Sequence, residues 1–81
     1  MKARTKQLGD KNIIGANVTK IRKLHRMSQK ELAVNMQLLD VDINFSSLSK
    51  LEGQTRIATD KEILVIAKIF NIKTDDLFKD I

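Results

Sequence analysis

One short segment, Phe45–Glu52 with the sequence FSSLSKLE, holds the residues with the clearest chemical use. At helical spacing, Leu48 and Leu51 turn to one side, and the serines and Lys50 turn more nearly to the other. Serine hydroxyls donate and accept hydrogen bonds, and short side chains let a helix backbone come close to another surface. The major groove of DNA is wide enough to admit one helix. Neutral filler on an exposed face is the plain alternative, and the segment alone does not decide between the two.

Basic residues are concentrated at the N-terminal end of the chain. The net charge is +5, but residues 1–30 carry nine lysines and arginines against a single acid, a net of +8. Residues 31–81 carry six bases and nine acids, a net of −3. A basic third of a small domain is typical of proteins that bind polyanions. Solubility also explains exposed lysines, but it does not explain their uneven placement.

Other kinds of chemistry have few residues to support them. The chain has no cysteine and one histidine, which excludes thiolate nucleophiles, disulfides and most zinc sites. Asp75 and Asp76 are explained as residues of a helix start, and no nucleophile–base pair is found. We therefore expect no enzyme, no metal and no other cofactor. No stretch approaches the ~20 apolar residues of a membrane span, and no secretory signal is found, so a cytoplasmic location is expected.

The hydrophobic pattern predicts an all-α fold of five helices in a single domain over residues 12–81. Residues 1–11 have no helical period and are expected to form a flexible basic arm. Asn12 is the expected N-cap of helix one, whose apolar stripe consists of Ile14, Val18, Ile21 and Leu24.

Capping residues mark the boundaries of the later helices. Residues 28–31 (SQKE) and 59–62 (TDKE) are capping-box sequences, which predict the starts of helices two and four. Gly53 is expected to end helix three at a positive φ, and Asn71 to end helix four in the same way. A short fifth helix comes next, starting at Thr74.

Several of these segments together resemble the Cro/lambda-repressor-like helix-turn-helix family of phage and bacterial regulators. The resemblance covers about residues 13–78 and rests on IRKL at 21–24, SQKELA at 28–33, SSLSKLE at 46–52, IAKIFNI at 66–72 and DLF at 76–78. It implies a compact five-helix DNA-binding domain that regulates transcription, and repression is the expected mode. It also implies a homodimer on double-stranded DNA, with half-sites about one helical turn apart.

The resemblance assigns roles to individual residues. Helix three would enter the major groove and face the bases with Phe45, Ser46, Ser47 and Lys50. Contacts to phosphates would come from Gln29, Lys30, Ser49 and Arg56. A structural ion pair between helix one and the end of helix three would join Arg22 to Glu52.

The loop between helices two and three departs from the family pattern. Residues 37–44 form a longer connection than the usual short turn, which resembles a longer-looped subgroup. Its four apolar residues either extend the core or form a surface for a regulatory protein partner: Leu38, Leu39, Val41 and Ile43. The alternative function is therefore a protein-interaction module of the same fold, antitoxin-like or partner-binding, with residues 38–43 as its interface.

Two further positions differ from the family. The expected glycine after helix three falls on Gln54, one residue after Gly53. Phe45 replaces a long polar side chain, and it either packs on a thymine methyl group or lies buried beneath helix two. For the dimer interface, the apolar C-terminal residues are the candidates: Leu77, Phe78 and Ile81.

Overall fold

A computed structural model describes residues 11–79, which form four α-helices and one 3₁₀ helix and contain no strand. In chain order these are α1 Gly15–Leu24, α2 Gln29–Leu38, α3 Phe45–Glu52, α4 Asp60–Phe70 and the 3₁₀ helix Thr74–Phe78. The all-α prediction is confirmed over these residues, and α3 has the predicted bounds. The predicted fifth helix is not an α-helix, because its five residues adopt the tighter form that is common in short pieces. Except for Lys11, the basic arm predicted for residues 1–11 lies outside the described residues.

Both predicted capping boxes are present. At the start of α2 the Ser28 hydroxyl accepts from the Glu31 N–H at 3.0 Å, and the Glu31 carboxylate accepts from the Ser28 N–H at 2.8 Å. At the start of α4 the same exchange joins Thr59 and Glu62, at 3.1 and 2.9 Å. These reciprocal bonds satisfy backbone donors that the first turn of a helix leaves unpaired.

The helices surround one core, in which α3 packs against α1 and α2, and α4 covers α2 and α1 from another side. The largest side chains with no more than 1% exposure are Ile14, Val18, Leu32, Met36, Leu48, Leu51, Ile66 and Leu77. The loop between α2 and α3 divides in two. Val41 and Ile43 are buried in this core, whereas Leu38 and Leu39 are 74% and 47% exposed.

All four α-helices end in the same hydrogen-bonded motif, and none of the left-handed residues is glycine. Each helix is followed by a residue with φ between 56° and 67°, namely Arg26, Asp40, Gln54 and Asn71. Paired backbone bonds of the Schellman type accompany each of them. The prediction for Asn71 is confirmed. The prediction that Gly53 adopts a positive φ is wrong, since its φ is −79° and Gln54 makes the turn instead.

Candidate nucleic-acid interface

The sequence around α3 fixes both the start of this helix and its inner face. The Asn44 side chain accepts from the Ser47 N–H at 2.7 Å and so caps the helix. Leu48 and Leu51 are fully buried against α1 and α2. Because α3 is only eight residues long, these two leucines determine which side chains point outward.

The outward face of α3 consists of Phe45, Ser46, Ser49 and Lys50, all of which are exposed. With successive residues 100° apart, Ser46, Ser49 and Lys50 share one sector, and Phe45 lies at its N-terminal edge. Ser47, which was expected to face the bases, points to a different side and is half-buried. Ser49, which was expected to contact phosphate, lies in the middle of the exposed face.

Phe45 is exposed rather than buried beneath α2. Its exposed fraction is 55%, within the range of the other exposed large apolar side chains of the domain. The interpretation that Phe45 lies buried beneath α2 is therefore wrong, and its contact with a thymine methyl group stays a prediction.

Arg22 and Glu52, for which the resemblance implies an ion pair, form one at the junction of α1 and α3. Arg22 Nε lies 2.8 Å from Glu52 Oε2, and Arg22 Nη2 donates to Glu52 Oε1 at 3.0 Å. The two side chains are 11% and 3% exposed. The Thr19 hydroxyl and Gln29 Nε2 also donate to Glu52 Oε1, each at 2.9 Å. This network ties α1 and the start of α2 to the last residue of α3.

Gln29 therefore has a role within the protein that the resemblance did not give it. One N–H group of its side-chain amide donates to Glu52 and is therefore not available to a phosphate, although the side chain is only partly buried. Lys30 follows it in the first turn of α2 and is exposed, as the expected phosphate contact requires.

Arg56, another expected phosphate contact, is turned towards the protein. Its Nε donates to the Ser47 carbonyl at 2.9 Å, and Nη1 donates to the Ile57 carbonyl at 2.8 Å. Nη1 and Nη2 hold the two carboxylate oxygens of Glu62 at 2.9 and 2.8 Å. These bonds use four of the five guanidinium N–H groups to join the α3–α4 loop to the first turn of α4, so Arg56 has a structural role, and its phosphate contact stays a prediction.

The Arg56–Glu62 pair also sets the charge state of Glu62. Burial alone would raise the pKa of this carboxyl group, but hydrogen bonds from Arg56 and Thr59, with the Arg56 charge, outweigh burial and lower the pKa below its ordinary value. Glu62 is thus held ionised as the partner of Arg56.

Two residues that position α3 carried little or no signal in the sequence. Gly15 is buried where α1 crosses the end of α3, and a Cβ there would lie 2.4 Å from the Leu51 carbonyl oxygen. Asn12 does not occupy the N-cap position, which is Ile14, although its side chain accepts from the Gly15 N–H at 2.8 Å. Asn12 Nδ2 donates to the carbonyls of Leu51 and Arg56, at 3.0 and 2.8 Å. A close helix crossing and a bond between distant segments are both tertiary features, which a local pattern does not reveal.

Buried contacts therefore hold the inner side of α3 against the domain, and its outer face is exposed. No helix within the described residues is long and apolar enough to cross a membrane. Comparisons with protein families, curated proteins and solved structures found no match to this chain.

Proposed function

We propose that this protein binds double-stranded DNA in a sequence-specific manner and regulates transcription, as a repressor, with α3 in the major groove. The observation that supports this proposal best is the outer face of α3. Its four side chains are exposed, two serines and one lysine lie side by side on it, and the buried leucines hold the opposite side of the helix in the core. A surface needed only for solubility would be served better by long charged side chains than by these short polar ones.

The chemistry of the outer face suggests what it reads. The Lys50 ammonium group donates to the O6 and N7 acceptors of guanine, and Phe45 offers apolar contact to a thymine methyl group. The hydroxyls of Ser46 and Ser49 pair with either donors or acceptors, so they discriminate weakly. We therefore expect a short half-site in which guanine and thymine are the most strongly selected bases.

Binding strength would come mainly from the backbone of the DNA. Exposed cations within residues 11–30, Lys30 among them, neutralise phosphates and set the register of the protein. A domain with a single eight-residue reading helix contacts few base pairs, so a homodimer on two half-sites is part of the proposal. Leu77 does not form the dimer surface that was expected, because it is fully buried. Phe78 is 41% exposed, and Ile81 lies outside the described residues.

The alternative proposal, an interaction module that uses residues 38–43, loses part of its surface. Val41 and Ile43 belong to the core and are 8% and 3% exposed, so they are not available to a partner. Only Leu38 and Leu39 keep apolar area for that role.

Selection from random duplex DNA at several salt concentrations tests the proposal. The wild type should enrich a two-fold sequence, and the variant Ser46→Ala/Ser49→Ala/Lys50→Ala should lose this enrichment but keep weak, salt-sensitive binding. Each lost base contact should cost about 1–3 kcal/mol, and the salt slope should fall by at most about one. Ser47→Ala is the matched control and should leave the selected sequence unchanged.

Two results would count against the proposal. If the wild type, shown by circular dichroism to be folded, enriches no sequence at any salt concentration, then sequence-specific binding is wrong. If Ser47→Ala changes the selected sequence and Ser49→Ala does not, then α3 meets DNA with a different face.

A further inference from the structure

A second exposed apolar surface lies away from the outer face of α3, along α2 and α4. Its members are 47–74% exposed and comprise Leu38, Leu39 and Leu64. Two adjoining hollows of about 340 and 300 Å³ meet at Leu39, which lines both. We name this surface the α2–α4 groove.

The two hollows of the groove differ in charge. Met27, Leu38 and Ile69 line the first, which contains no charged side chain. The second has Leu64 between Lys61 and Lys68, with Asp40 as its single acid. Lys61 and Lys68 are two turns apart on α4, about 10.5 Å along its axis. Neither lysine forms an ion pair within residues 11–79.

This charge arrangement argues against a second copy of the same chain as the occupant. In a symmetric pair with Leu64 at the two-fold axis, the lysines of one α4 would face those of the other. Like charges that face each other across an interface repel, and Asp40 supplies only one compensating charge per copy. A partner with carboxylates at the corresponding spacing would gain attraction where a second copy meets repulsion.

We propose that the α2–α4 groove binds an acidic amphipathic helix of a partner protein. The partner helix has two carboxylates one heptad apart, which pair with Lys61 and Lys68. An apolar side chain between the carboxylates packs on Leu64. A second apolar anchor enters the uncharged hollow beside Leu38. No residue of the outer face of α3 and none of the expected phosphate contacts lines either hollow, so the site is separate from the proposed DNA surface and does not depend on it.

Selection from a displayed library of 16-residue helical peptides tests this inference. Wild-type protein should enrich peptides with acids seven residues apart flanking an apolar residue. The variant Lys61→Glu/Lys68→Glu should bind these peptides about tenfold less tightly, as expected when two exposed charge pairs become repulsive, and should instead enrich lysine or arginine at those positions. The matched control, Lys20→Glu/Lys23→Glu, makes the same charge change on α1 and should leave the selection unaltered. Circular dichroism of each variant excludes misfolding as the cause.

Two results would overturn the inference. One is enrichment of no helical peptide, or of peptides whose charges do not change with those of residues 61 and 68. The other is self-association of the wild type in sedimentation experiments that Leu64→Gln abolishes, because the occupant would then be a second copy of this chain.

Discussion

Replacing Arg22 with methionine should destabilise the domain severely, because the change leaves the Glu52 carboxylate buried without its counter-ion. Glu52 is 3% exposed on its side chain, and without Arg22 it would keep only hydrogen bonds from Thr19 and Gln29. Breaking a buried pair by removing one partner costs about 3–5 kcal/mol. A domain of 81 residues has a free energy of unfolding of about 4–12 kcal/mol, so a large share would be lost.

Urea denaturation followed by far-UV circular dichroism measures this loss, since the chain has no tryptophan or tyrosine to report by fluorescence. Lys23→Met is the matched control: Lys23 neighbours Arg22 but is exposed, and its replacement should change stability by less than about 0.5 kcal/mol. The double variant Arg22→Met/Glu52→Leu should recover most of the loss, because no charge remains buried. A cost below about 1 kcal/mol for Arg22→Met would refute the reasoning, as would a double variant less stable than the single one.

Three further predictions concern helix packing, helix ends and pH. Gly15→Ala should lower the free energy of unfolding by more than about 2 kcal/mol, because the new Cβ would meet the Leu51 carbonyl oxygen. Alanine is the better helix former, so a gain in stability would contradict the close crossing of α1 and α3. Arg26→Gly should be about 1 kcal/mol more stable than Arg26→Ala in urea titrations, since φ at this position is 56°, and equal stabilities would argue against a left-handed residue there. The lowered pKa of Glu62 contributes stability that is fully present above the ordinary pKa of 4.5 and is lost as pH falls through the folded-state pKa. The melting temperature of Glu62→Gln should therefore change less between about pH 5 and 3 than that of the wild type. Parallel curves of melting temperature against pH would exclude this contribution.

Helix starts could be predicted from the sequence because their determinants are local. The side chain that caps α2 or α4 lies within three residues of the backbone group that it binds, so a four-residue pattern contains the whole interaction. The inner face of α3 was also predictable, because Leu48 and Leu51 follow the helical period and are both buried.

Helix ends were less predictable, because the left-handed residue is stabilised by burial of the side chain that follows it. Glycine is the usual residue in the left-handed position, yet Arg26 and Asp40 occupy it after α1 and α2. In each case the next residue is apolar and reaches the core: Met27 packs against it, and Val41 is buried in it. Burial of that side chain offsets the left-handed strain of about 1–2 kcal/mol, and burial is a tertiary property.

The roles of Gln29 and Arg56 could not be predicted for a similar reason. Both are polar side chains at positions where the resemblance implies phosphate contacts, and each has a carboxylate within reach in the folded chain. Glu62 was visible in the sequence only as a capping residue, and the same carboxylate also accepts from Arg56. A local pattern shows that a carboxylate has one use, but it does not show that the fold brings a second partner to it.

The side chains that hold α3 in place affect how DNA-binding measurements should be interpreted. Arg22 and Arg56 both attach the ends of α3 to the rest of the domain, through Glu52 and through the Ser47 carbonyl respectively. Loss of either arginine should shift or loosen α3. Under the proposed function, weaker DNA binding would then result even if neither side chain touches a phosphate. Loss of a phosphate contact lowers the salt slope by about one and weakens all sequences alike, whereas a displaced α3 weakens the preferred sequence most. The salt slope and the specificity ratio together therefore separate a contact with DNA from a role in holding α3.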